Sequence, residues 1–242
     1  ARELKRSLME RLFTYGPGPE PAPTKETEIG EIPEHWELAK LDRICLKTVD
    51  CPHSTPQYTD FGVIVVRNFN LRDGHLDLRN VSYTSEREYE ERVARAVPTE
   101  GDVLFSREAP IGEAALVLPG VRLCLGQRMM LLRPDPAQLD GGFLVYSLYS
   151  PNIRAITTSL GKGVTAKHLN VGDVRRLKIP LPSLAEQSKV SHQLLAIDAK
   201  IAAEEQHKAA LEELFRSALE QLMTGQIRLK AESLRRGDAE VL

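Results

Sequence analysis

Arginine and glutamine at the ends of strands can pair bidentately with guanine and adenine edges, because their forked donors and acceptors match those of the bases. Two such sites occur in this chain. Gln127-Arg128 stands at the mouth of the apolar run Met129-Met130-Leu131-Leu132, and Ser106-Arg107 follows Val103-Leu104-Phe105. Arg67-Asn68 closes a third run, Val63-Ile64-Val65-Val66. The stretch from Asp50 to Gln57 is proline-locked and carries hydroxyls, an amide and an imidazole, while residues 161–168 form a glycine-rich basic loop. The candidate nucleic-acid contacts are therefore His53, Ser54, Thr55, Gln57, Arg67, Asn68, Ser106, Arg107, Gln127, Arg128, Lys162, Thr165, Lys167 and His168. Lys162 and Lys167 suit phosphates; Arg107 and Arg128 suit guanine edges. For any one of them, surface polarity or a structural hydrogen bond is the competing reading.

Other chemistries lack their residues. The six histidines are dispersed without metal-ligand spacing, so no metal site is expected. Cys45, Cys51 and Cys124 are odd in number and show no CxxC pair, which reads as reduced thiols in a cytoplasmic protein. Gly161-Lys162-Gly163 lacks the first glycine of a phosphate loop, and no Ser or Thr directly follows the lysine. Pro134-Asp135 could open a Mg²⁺-dependent nuclease constellation, but no Asp or Glu lies between Val145 and Thr165 to complete it. No Asn-Pro-Pro-Tyr or Asp-Pro-Pro-Tyr quartet of an adenine methyltransferase is present. No apolar run approaches the roughly 20 residues a membrane helix needs. A net charge of -2 argues against coating nucleic acid by charge alone, although residues 153–178 carry six cations against Asp173.

The elements that must position the candidate contacts read as α+β. Short buried or alternating strands, a capped helix from Ser85 to Ala96 and helices after Phe143 are separated by Gly and Pro without regular βα alternation. From Leu184 to Met223 runs one helical pattern, roughly 60 Å long at 1.5 Å per residue. Val190, Leu194, Ile197, Ile201, Leu211, Phe215, Ala218 and Leu222 follow a heptad seam on it, with Glu204 and Lys208 in the middle slots. A rod of that length needs a partner helix. Its end also recurs at the start of the chain: Glu3, Leu4, Arg6, Ser7, Glu10, Leu12 and Thr14 match Glu213, Leu214, Arg216, Ser217, Glu220, Leu222 and Thr224. The organisation expected is the end of one rod (1–15), a Pro/Gly-rich linker (16–28), a recognition domain (29–182), a coiled-coil helix (183–225) and a tail (226–242).

As a set these residues resemble the specificity subunit of Type I restriction–modification systems. Ile29-Gly30-x-Ile32-Pro33-x-x-Trp36 resembles the opening of its target-recognition domain, and Gly101–Arg107 followed by Ile111-Gly112 its internal strand. The stretch Ile179-Pro180-Leu181-Pro182-Ser183-Leu184-Ala185-Glu186-Gln187 resembles the exit into its spacer helix. The resemblance implies a non-enzymatic reader of one half of a split double-stranded DNA target. Such a reader positions modification subunits that methylate adenine N6, and a restriction subunit joins them in the full complex. S-adenosylmethionine, ATP and Mg²⁺ would sit on those partners, and this chain would need no cofactor. Family members usually hold two recognition domains. With one domain and one complete spacer, the chain is expected to be half of a longer subunit or a half-subunit that dimerises through a second spacer helix. The competing reading is a structural adaptor that uses its coiled coil to assemble proteins and binds no DNA.

Overall fold

The computed structural model describes residues 2–162 and 168–225. In chain order the elements begin with α1 (Arg2–Tyr15), β1 (Thr24–Thr27), β2 (Gly30–Pro33), β3 (Glu37–Lys40), α2 (Leu41–Ile44) and β4 (Cys45–Asp50). Next come β5 (Tyr58–Thr59), β6 (Val63–Val66), a 3-10 turn (Asn68–Asn70), β7 (Leu71–Arg72), β8 (His75–Leu76), β9 (Ser82–Thr84) and α3 (Glu86–Val93). The chain continues through β10 (Val103–Ser106), β11 (Ala114–Leu116), β12 (Leu123–Leu125), β13 (Met129–Pro134), α4 (Gly141–Tyr149) and α5 (Pro151–Lys162). It ends with α6 (Val171–Arg176), β14 (Lys178–Leu181) and α7 (Leu184–Met223). Residues 3–195 form one compact unit; the other described residues, Arg2 and 196–225, belong to a second. The α+β expectation is met, and the long helix has the expected bounds.

The central sheet of the first unit, in the order β11-β10-β13-β4, is antiparallel throughout. Both of its faces are covered, which explains why its strands read as continuous apolar runs. Side chains alternate across a strand, so Val103, Phe105, Met130 and Leu132 enter one core while Leu104, Met129 and Leu131 enter another. Against the first face pack α1, α4, α5 and the first turns of α7. The second core is shared with the sheet β12-β6-β9-β5, in which β12 runs parallel to β6. Leu123-Cys124-Leu125, three residues long, gives too little periodicity to be read as a strand from sequence.

Local chemistry places the helix starts. The Ser85 hydroxyl accepts from the Glu88 amide, and the Asp140 carboxylate accepts from the Phe143 amide at 2.7 Å. Trp36, fully buried, anchors the larger core edge-to-face with Phe13 and Phe143. Its indole Nε1–H donates to Glu186 at 3.2 Å, and the Glu186 carboxylate also meets His35 and Ser183. The opening and exit stretches of the domain therefore hold each other directly, reinforced by the antiparallel pair β3–β14.

The expected linker is partly built in. Its last residues pair as β1 with β2, and Arg11 donates to the Gly18 and Pro19 carbonyls, tying the proline-rich segment to α1. The first turns of α7 likewise belong to the domain, since Val190 and Leu194 are fully buried in its core. In the second unit, residues 196–225 carry exposed apolar side chains at Leu211, Leu214, Phe215, Leu219, Leu222 and Met223. Of the seam, Ile197, Ile201 and Ala218 are half-buried, whereas Leu211, Phe215 and Leu222 are exposed. No described helix is long and apolar enough to cross a membrane.

Candidate nucleic-acid interface

The loops that carry the candidate contacts leave four different strands and meet one another. After β4, the loop carrying His53, Ser54 and Thr55 is held from two sides. Gln127 Nε2 donates to the His53 carbonyl at 2.9 Å, and Arg92 Nη2 donates to the Ser54 carbonyl at 3.2 Å. Arg92 is buried on α3; it also donates to the Leu125 carbonyl and pairs with Glu88 at 3.1 Å. The Thr55 hydroxyl reaches Gln127 Oε1 at 3.5 Å, and His53 Nε2 lies 3.2 Å from Asp50. His53, Ser54, Thr55 and Gln57 are all exposed. The Gln57 carbonyl accepts from Thr84 at 2.7 Å, which fixes the end of this loop to β9.

After β6, the Arg67 guanidinium stacks between two aromatic rings, 5.6 Å from Tyr58 and 4.9 Å from Phe69. Asn68 Nδ2 donates to the Ala109 carbonyl at 2.7 Å and joins this loop to the one after β10. Asn70, buried, accepts from the Arg67 amide and donates to the Asp77 and Asn80 carbonyls. Phe61, 84% exposed, is the most open large apolar side chain among the described residues.

The loop after β10 carries the largest difference from expectation. Arg107 is 3% exposed, and its Nη1 donates to the Leu169 carbonyl at 2.9 Å. Burial pushes its pKa down from the usual guanidinium range. The side chain expected at a guanine edge instead ties β10 to the segment before α6. That segment is also held by the Leu169 amide on the Arg107 carbonyl and by a β-bridge between Glu108 and His168. Ser106 is fully buried and donates to the Glu108 carbonyl. Ser106 ends, and Arg107 follows, a strand covered on both faces, a tertiary circumstance that strand-end position alone does not reveal.

Arg128 is placed differently from Arg107. It adopts φ of 62° at the entry to β13, accepts from the Arg107 amide through its carbonyl, and is half-exposed. Its Nη1 meets Glu108 Oε1 at 2.6 Å. Gln127 beside it is exposed. Below the loop, Arg154 donates to the Ile111 carbonyl and pairs with Glu113, whose other oxygen accepts from Tyr149 at 2.6 Å. Burial and the Glu113 carboxylate push the Tyr149 phenol well above its usual range. Gly112, at φ 81°, leaves room for this cluster: a Cβ there would lie 3.1 Å from Arg154 Nη1.

Lys162 closes α5, but its side chain, like Thr165 and Lys167, lies outside the described residues. His168 is half-buried, and its Nδ1 has no partner among the described residues. Of the cations expected to form a basic face over 153–178, the four with described side chains all have internal partners. Arg154 holds Glu113, Arg175 donates to the Thr48 carbonyl, Arg176 pairs with Asp173, and Lys178 with Glu28. Sequence reasoning left Arg92, Asn70, Tyr58, Phe69 and Glu108 out of the site. Glu88 and Arg92 at i,i+4 spacing was the one legible hint.

No described cluster of His, Cys, Asp and Glu could hold a metal ion. The cysteine thiols are not activated: burial pushes Cys45 up to about 12 and Cys124 to about 11. The arrangement is suited to binding, with Gln127, Arg128, Arg67 and the 53–57 hydroxyls set on a rigid two-sheet scaffold.

The strand-end loops belong to a mixed α+β domain, and its last strand leads into a helix of 40 residues. Residues 33–213 match the family model described as the Type I restriction modification DNA specificity domain, and the chain belongs to that family. It is 30% identical over 230 residues to the type I restriction enzyme MjaX specificity subunit of Methanocaldococcus jannaschii, covering 94% of this chain and 52% of that protein. With the MjaVIII specificity subunit of the same organism it shares 27% over 233 residues, 94% and 54% of the two chains. The fold resembles the HsdS subunit of Thermoanaerobacter tengcongensis, with TM-score 0.55, 21% identity and 93% and 51% coverage. It also resembles a chain from a structure of type I restriction–modification assembly and conformational transition, with TM-score 0.56, 21% identity and 91% and 51% coverage. The chain thus spans about half the length of these relatives.

Proposed function

We propose that this chain is a non-catalytic DNA reader that recognises one half of a bipartite duplex target and positions adenine-N6 modification subunits, with a restriction subunit joining the full complex. One observation carries the reading. Loops from β4, β6, β10 and β12 interlock through Gln127–His53, Asn68–Ala109 and Arg128–Glu108, so that Arg, Gln, Asn and hydroxyl groups share one polar surface on a rigid scaffold. Groups fixed in this way can match base edges without paying for loop ordering. The long helix is the spacer: its apolar stripe, exposed among the described residues, joins a second spacer helix, from another copy or from the other half of a longer subunit.

The test is selection on random duplexes with the modification subunits present, followed by titration against salt. A reader should enrich one half-site and lose affinity steeply as salt rises, because phosphate contacts release counterions. Protein assembly without enrichment or salt dependence would show an adaptor instead.

A further inference from the structure

Arg128 combines two features that stability does not explain. Its backbone lies in the left-handed region, where Cβ crowds the following carbonyl oxygen and residues other than glycine are strained. Its side chain is spent on a half-exposed pair with Glu108, of a kind that contributes little to folding. Backbone strain held in place by its surroundings is a mark of functional positions. Here the surroundings are the Arg107 amide on the Arg128 carbonyl and the Ser106 hydroxyl on the Glu108 carbonyl.

A carboxylate among the proposed DNA contacts also needs a reason, since it repels phosphate. With 2.6 Å to Glu108, Arg128 already has a counter-charge before DNA arrives and is a poor phosphate anchor. It keeps donors in a fixed plane, and those suit a neutral base edge that offers acceptors in a matching fork.

We propose that Glu108 is a specificity-determining residue. It orients Arg128 as a base-reading fork and turns away phosphate, so that sequences lacking the matching base bind poorly. The proposal rests on the DNA-reading function above and adds to it a carboxylate that lowers affinity in order to raise discrimination.

The experiment uses the full chain with its modification subunits, the duplex recovered by selection and a scrambled duplex. Binding of the wild-type assembly decides the parent reading: without salt-dependent duplex binding that reading fails, and the proposal with it. If the wild type binds, Glu108→Gln should strengthen binding to the scrambled duplex and raise its salt slope by about one. Its ratio of specific to scrambled affinity should fall by roughly fivefold or more, the low end of one bidentate base contact. Glu108→Asp should recover part of the ratio. In an Arg128→Ala background, Glu108→Gln should still raise scrambled binding but no longer change the ratio. A ratio unchanged by Glu108→Gln, whether both affinities rise or neither moves, overturns the proposal while leaving the DNA reader intact. Equal loss on both duplexes together with a lower melting temperature would make Glu108 a structural residue, and that also overturns it.

Discussion

Replacing Gln187 with leucine should destabilise the recognition domain by about 3–5 kcal/mol, although the two side chains are similar in size. Gln187 is completely buried in the first turn of α7. Its Nε2 donates to the Gln138 carbonyl at 2.8 Å and the Pro182 carbonyl at 2.9 Å, and its Oε1 accepts from the Asp140 amide at 2.8 Å. Leucine deletes three hydrogen bonds worth about 1 kcal/mol each, and every backbone group left dry adds part of a 1–3 kcal/mol desolvation penalty. Asp140 also caps α4 and accepts from Ser191, so the damage falls where α4 and α7 meet. The assay is urea unfolding followed by fluorescence of Trp36, the single tryptophan, which is buried nearby and bonded to Glu186. The midpoint should fall with little change in slope, and the melting temperature should drop by roughly 10 °C. Glu204→Gln, on an exposed stretch of the same helix, should leave both unchanged. A Gln187→Leu protein within 1 kcal/mol of wild type would refute the claim that this amide network locks the spacer to the domain.

Glu186 gives a pH test. Burial raises its pKa, but hydrogen bonds from His35, Trp36 and Ser183 outweigh that and hold it below the ordinary carboxylate value. Stability from this group is therefore present above the unfolded value, about 4.3, and is lost as pH falls through the folded one. The gap between wild type and Glu186→Gln in denaturant midpoints should narrow below about pH 4; a constant gap from pH 7 to pH 3 would contradict the assignment. Arg128→Ala should cost about 1–3 kcal/mol on the selected duplex alone, relaxing one base pair, while Arg107→Ala should lower thermal stability and weaken all duplexes together. Paired binding and melting measurements on both variants separate these outcomes, and the reverse pattern would exchange their roles. Leu211→Glu with Phe215→Glu should shift sedimentation towards monomer and leave the Trp36-reported unfolding midpoint in place; unchanged mass would exclude self-pairing through that stripe.

What the sequence made legible was whatever depends on neighbours a few positions away. Ser85 announces a helix start, unbroken apolar runs mark β10 and β13, and the long helix follows from its heptads. Long-range pairing was not legible, because β4 meets β13 and β12 runs beside β6 through contacts that no local period encodes. The site divides in the same way. Arg107 and Arg128 have the same local credentials, an arginine beside an apolar run. One is drawn between layers to satisfy the Leu169 carbonyl, and the other is lifted out on a left-handed residue. Arg154, Arg175, Arg176 and Lys178 looked like a basic face only because their acceptors lie far away in sequence, at Glu113, Thr48 and Glu28, or one helical turn away at Asp173.

The repeat between the ends of the chain carries the reasoning furthest. In α1, Met9, Leu12 and Phe13 are buried, with Phe13 against Trp36 and Phe143. The same register in α7 places Leu219, Leu222 and Met223 at the matching positions, and they are 49%, 39% and 81% exposed. Among the described residues, one piece of helical text is thus buried on one face in α1 and exposed on the matching face in α7. An apolar face kept through such a repeat is unfavourable in water unless something covers it, and in α1 the matching face is covered by the rings of Trp36 and Phe143. Under the proposed function the exposed stripe of α7 meets a second spacer helix, and the buried face of α1 shows which positions of this text take apolar partners. On that proposal the distance between half-sites depends on the length of α7, whose first turn Gln187 ties to the domain.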